Sequence, residues 1–120
     1  MKKKIIIGKN YLEKIPLRPE HINWEIGEDK MVTLSLENKG WANKLAQKFF
    51  RRPKISYVHL DEMGSFIWPL IDGEKDIIEL GRLVEEHFGE KAHPLYERLA
   101  RYFQIMESYR FVKWKDNQNK

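Results

Sequence analysis

The hydrophobic pattern changes period three times along the chain. From His21 to Ile26 it alternates, with Ile22, Trp24 and Ile26 on one side and Asn23 and Glu25 on the other. Met31 to Glu37 repeats the alternation, Val32, Leu34 and Leu36 opposing Thr33 and Ser35. Gly27-Glu28-Asp29-Lys30 lies between, so the two runs predict a β-hairpin. From Trp41 to Phe50 the spacing becomes helical: Trp41, Ala42, Leu45, Ala46, Phe49 and Phe50 share a face opposite lysines, and Pro53 ends the run. Ile55 to Leu60 alternates again and predicts a third strand, with Ile55, Tyr57 and His59 on one face and Ser56, Val58 and Leu60 on the other.

Three helices are predicted after it. Asp61 is placed to cap the first, because a carboxylate accepts backbone N–H groups of the first turn; Pro69 lacks a donor and should kink or shorten that helix before Asp72-Gly73. Asp76 caps the second, whose buried face is Ile77, Leu80, Gly81, Val84 and Phe88, and Gly89 ends it. The third starts near Ala92, takes Pro94 in its first turn and runs to about Tyr109. Residues 1–20, with Pro16, Pro19 and the lysines, show no clear period and are expected to form a basic arm; the domain proper spans 21–114, and 115–120 is a polar tail. Strands first and helices after predict an α+β fold.

Composition narrows the chemistry. A chain of 120 residues with 42% apolar and 33% charged residues suits one folded domain with a modest core. No apolar run approaches the roughly 18 residues that cross a bilayer, and the run after Lys2, Lys3 and Lys4 stops at Gly8, so the cytoplasm is the expected location and no membrane partner is expected. There is no cysteine, which removes disulfides, thiolate metal sites and thiol nucleophiles from this chain. The net charge of +4 is uneven: Lys39, Lys44, Lys48, Arg51, Arg52 and Lys54 crowd residues 38–54, while Asp61, Glu62, Asp72, Glu74 and Asp76 follow.

The run Leu60-Asp61-Glu62-Met63-Gly64-Ser65-Phe66-Ile67-Trp68, then Leu70-Ile71-Asp72-Gly73, resembles the PqqD family. The likeness continues through Asp76-Ile77-Ile78-Glu79-Leu80, Val84, His87-Phe88-Gly89, Leu99, Tyr102-Phe103, Met106 and Phe111-Val112. It covers Lys54 to Val112 closely and the hairpin more loosely. The sequence departs from the family pattern in the insertion 38–54, in Pro69, and in Arg110 where a glycine often ends the last helix.

The resemblance implies a winged helix-turn-helix-like module, a three-stranded antiparallel sheet followed by three helices, here with an extra basic helix inserted between strands 2 and 3. It implies a recognition element that contributes no catalytic group and needs no cofactor or metal. The leader of a ribosomally made precursor peptide would add as a strand between the third strand (Ile55, Ser56, Tyr57, Val58, His59, Leu60) and the last helix (Tyr96, Leu99, Ala100, Phe103, Met106). Arg98 and Arg101 are candidates for acidic leader residues. The bound peptide would be presented to a modifying enzyme, a radical S-adenosylmethionine enzyme in the first instance, by a monomer or weak homodimer.

The residues themselves leave plainer alternatives. The third strand also reads as an ordinary core strand, the last helix as one buried on two sides, and its arginines as solvated. The basic helix could dock on the partner enzyme, lie on an anionic membrane, or pack on this protein's own sheet. The rival function is a winged-helix nucleic-acid-binding or regulatory protein. The second helix argues against it, because Asp76, Glu79, Glu85 and Glu86 oppose only Arg82 where phosphate neutralisation needs cations; no nucleic-acid partner is expected. His21, His59, His87 and His93 lack metal-ligand spacing, and no phosphate loop or nucleophile elbow is present.

Overall fold

The computed structural model describes residues 9–37 and 55–115. They form α1 (Lys9–Leu12), β1 (Pro16–Leu17), β2 (Asn23–Ile26), β3 (Val32–Glu37), β4 (Ile55–His59), α2 (Glu62–Ile67), α3 (Ile77–Phe88), α4 (Leu95–Ser108) and β5 (Lys113–Trp114), with 3-10 turns at Trp68–Leu70 and Gly89–Ala92. The chain is α+β with antiparallel sheets. It divides into two compact units, one of residues 20–65 and one of residues up to 19 with those from 66 onward. The basic run 38–54, the Ile5–Ile7 run and most of the polar tail fall outside the described residues. Among the described residues no helix is long and apolar enough to cross a membrane.

In the first unit the strands lie in the order β2-β3-β4. The turn between β2 and β3 closes by Gly27 N–H to Met31 O at 2.9 Å and Lys30 N–H to Gly27 O at 2.9 Å. The Asp29 carboxylate accepts from Met31 N–H at 2.9 Å, the local bond that favours Asp in turns. Trp24, Leu34 and Val58 share one row across the sheet, and Val32 and Leu34 are fully buried on the central strand. Ile26, on the same face of the alternation as Ile22 and Trp24, is 53% exposed. It ends an edge strand beside the turn and has only Val32 as a neighbour across the sheet.

Ser65 holds the lower end of this sheet. Its hydroxyl accepts from Val32 N–H at 2.8 Å and donates to Leu60 O at 3.2 Å, while Leu60 N–H bonds Val32 O at 2.9 Å. One buried hydroxyl thus satisfies backbone groups where the β3–β4 ladder ends. Asp61 caps α2 as its sequence suggests, accepting from Gly64 N–H at 2.8 Å.

In the second unit Pro69 has the expected effect: the α-helix stops at Ile67 and continues only as a tighter turn, Trp68–Leu70. Asp76 caps α3, accepting from Glu79 N–H at 2.9 Å. The helices α3 and α4 meet at Gly81, where a β-carbon would stand 2.9 Å from Leu99 Cδ1 and 3.0 Å from Tyr96 Cε1. A side chain there would require the Leu99 and Tyr96 side chains to shift. The last helix begins at Leu95, not Ala92, because Gly89–Ala92 forms a separate turn. It ends with Phe111 N–H bonding Met106 O at 2.8 Å and Arg110 N–H bonding Glu107 O at 2.9 Å. That is the Schellman pattern, and it puts Arg110 at φ 64°, a left-handed position that glycine fills at lower cost.

The segment expected to be an arm is partly structured. β1 pairs antiparallel with β5, Pro16 opposite Trp114 and Leu17 opposite Lys113. Lys115 N–H also donates to Ile15 O at 2.8 Å, and Ile77 N–H to Lys14 O at 3.2 Å. The Lys14 ammonium lies 5.5 Å from the Tyr11 ring centroid and 5.2 Å from that of Trp114. Burial, and then the nearby Glu107 carboxylate, push the Tyr11 hydroxyl up to about 12. Two residues of strand have no period to read, so such a pairing is invisible along the sequence.

Candidate functional site

The register of β4 determines which of its groups are committed. Leu60 bonds back to Val32 through its N–H, and Thr33 pairs with His59, Leu34 with Val58, Ser35 with Tyr57 and Leu36 with Ser56. In an antiparallel ladder, directly opposed residues alternate between exchanging both hydrogen bonds and exchanging none. The even-numbered residues Ser56, Val58 and Leu60 therefore bond to β3. The N–H and C=O groups of Ile55, Tyr57 and His59 point the other way, to the outer edge of the sheet. Among the described residues no strand pairs there, since β4 is an end member of its sheet.

The side chains alternate with the same period. Ile55, Tyr57 and His59 are exposed and Ser56, Val58 and Leu60 half-buried. His59 is braced by a hydrogen bond between its Nδ1 and Thr33 Oγ1 at 2.9 Å. The three residues with outward backbone groups are thus the three with accessible side chains. No proline interrupts the strand.

The predicted residues of the last helix are placed differently. Leu99, Ala100 and Phe103 have no exposed surface, Met106 is 4% exposed and Tyr96 is half-buried beside Gly81. At about 100° per residue, the buried positions Leu95, Leu99, Ala100, Phe103 and Met106 form one continuous arc. The flank that the sequence suggested as a binding surface is therefore part of the buried arc. The apolar residues that keep surface lie on its other side: Ile105 at 48% and Tyr109 at 66% exposure. Their spacing of four is the only sequence signal for them, and it equally describes core positions. Arg98 and Arg101 are both exposed, and Arg98 donates to the Lys91 carbonyl, closing the turn before the helix.

Several other ionisable groups are engaged in local structure. His93 Nε2 lies 2.8 Å from a Glu85 oxygen, Arg82 pairs with Glu86 at 3.3 Å, and the exposed His87 ring stacks on Phe66 with centroids 4.3 Å apart. Lys75 pairs with Asp72 at 2.7 Å. That hydrogen bond, followed by the backbone N–H of Glu74, draws the Asp72 carboxyl down to about 2. Among the described residues no group of three His, Cys, Asp or Glu side chains could hold a metal ion. The exposed residues of α3 include Glu79, Glu85 and Glu86 beside the single Arg82.

What the site offers is a strand edge left unpaired among the described residues, a geometry to which an extended peptide can add by main-chain hydrogen bonds. No curated protein and no solved structure matches the chain. Residues 31–112 match the family described as Coenzyme PQQ synthesis protein D (PqqD), a span that includes β3, β4 and all three helices that follow. That match covers well over half of the 120 residues, and the chain belongs to the PqqD family.

Proposed function

We propose that this protein binds the leader region of a ribosomally synthesised precursor peptide and presents it to a modifying enzyme, without contributing a catalytic group of its own. Family membership suggests a peptide-binding accessory role in peptide-derived natural-product biosynthesis. The observation that carries the finer reading is the outer edge of β4, where Ile55, Tyr57 and His59 turn their backbone donors and acceptors away from β3. An extended leader would pair with those groups as an additional strand. The winged-helix character of the module, a radical S-adenosylmethionine enzyme as partner, and participation of the last helix belong to the same proposal. On that helix Leu99, Ala100, Phe103 and Met106 would have to be uncovered to touch a peptide, whereas Tyr96 and Arg101 keep surface of their own. Acting as a tether, the protein would raise the local concentration of substrate at the enzyme.

Calorimetric titration of the full chain with the leader of a precursor encoded beside it tests the reading. A Kd below roughly 100 µM, about 5.5 kcal/mol, is expected; absence of binding at that level contradicts it. Tyr57→Pro locates the contact. It deletes an outward N–H while leaving the bonds of Ser56, Val58 and Leu60 to β3, so the variant is expected to fold and to lose leader binding. A folded variant with unchanged affinity would show that the leader does not pair with this edge.

A further inference from the structure

The residues of β4 whose backbone faces outward are also those whose side chains stand on the exposed face of the sheet, and this constrains what the edge can select. On that face the neighbours of Tyr57 and His59 across β3 are Ser35 and Thr33, and those beyond on β2 are Asn23 and Glu25. All are polar, and none supplies an apolar partner. Tyr57 is left 61% exposed and Ile55 39% exposed. On the opposite face Ser56 and Val58 are already half-buried. A strand added to the edge places residues directly beside Ile55 and Tyr57, with their side chains on the same face, whichever way it runs. Aromatic and branched side chains gain most from such cross-strand neighbours.

We infer that the exposed face of β4 sets the sequence preference of the bound peptide: Ile55 and Tyr57 select an extended segment with two large apolar residues separated by a single residue. The preference rests on strand addition to β4, as proposed above, and names the peptide class that this edge takes. The backbone ladder is indifferent to sequence, so discrimination on this face falls to these two side chains. An apolar residue at the intervening position of the peptide would lie on the other face, beside Ser56 and Val58, and would leave Tyr57 uncovered.

Two capped synthetic peptides of identical composition test this. Each carries one phenylalanine and one isoleucine in a threonine and glutamine background, two positions apart in the first and adjacent in the second. Each is titrated into the isotopically labelled full chain and read at the amides of Ile55, Tyr57 and His59 by NMR. The first peptide is expected to bind up to about fivefold more tightly, the effect of the one cross-strand pair that the second peptide cannot make. In Tyr57→Thr, which keeps the strand and the ladder, the preference is expected to shrink to about twofold or less. Equal affinities with shifts confined to those three amides would overturn the inference and leave strand addition standing. No response of the three amides to either peptide would remove strand addition, and the preference with it. Shifts that follow protein concentration alone would assign the edge to a second copy of the chain, and would likewise overturn it.

Discussion

Strand β4 and helix α4 carry the same kind of residues, aromatic and branched, and both are natural candidates for a peptide surface. They divide their surface in opposite ways. The strand has a period of two, so half of its residues can serve the sheet while the other half keep both side chain and backbone available. Ile55, Tyr57 and His59 show this directly. The helix spends its backbone hydrogen bonds internally, and its apolar arc from Leu95 to Met106 is buried as one block. Only Ile105 and Tyr109, outside that arc, keep large apolar surface. An apolar strand can be scaffold and binding edge together, whereas a helix must assign each side chain to one role.

The comparison predicts unequal responses to mutation. Phe103→Ala is expected to have the largest effect, a loss of about 3–5 kcal/mol in denaturant unfolding, because a fully buried ring leaves a cavity. A loss below about 1 kcal/mol would mean that the helix face has surface to spare after all. Ser65→Ala comes next, at about 1–3 kcal/mol, since it strands the buried Val32 N–H that anchors the start of β3. It should also loosen the Leu60 end of β4, seen as faster amide exchange at Leu60.

A smaller effect is expected at high pH in the helical unit. The Tyr11 hydroxyl is held protonated up to about 12 against an ordinary 10, so the folded state keeps a proton that the unfolded chain releases. Its contribution is complete below pH 10 and is lost as pH rises through about 12. Thermal melts of Tyr11→Phe should lack that part of the decline. Because the buried Tyr11 hydroxyl has no hydrogen-bond partner among the described residues, the same variant should be no less stable at neutral pH. The smallest effect belongs to the edge: Tyr57→Thr should change stability by less than about 0.5 kcal/mol, as an exposed strand position does. A cost comparable to that of Phe103→Ala would erase the contrast between the two elements.

The sequence makes local features readable and long-range ones much less so. The hairpin, the caps at Asp61 and Asp76, and the break at Pro69 each depend on neighbours within a few residues, and each is found where its residues indicate. The two faces of β4 were also legible, although alternation does not say which of them is outward. The buried side of α4 was not. Tyr102, Ile105 and Tyr109 are as apolar as Tyr96 and Phe103, and the burial of the arc depends on tertiary packing, including that of Leu99 and Leu95 against Gly81, rather than on composition. The pairing of Pro16 with Trp114 and the bonds of Ser65 to Val32 and Leu60 join residues distant in sequence or too few to show a period.

Amide hydrogen exchange along β4, with and without the leader peptide, tests the central claim most directly. In the free protein Ser56, Val58 and Leu60 should exchange slowly and Ile55, Tyr57 and His59 quickly, following the register with β3. Leader binding should slow the second set and leave the first nearly unchanged. Binding that leaves Ile55, Tyr57 and His59 as fast as before, or a free protein in which they are already protected, would contradict strand addition at this edge.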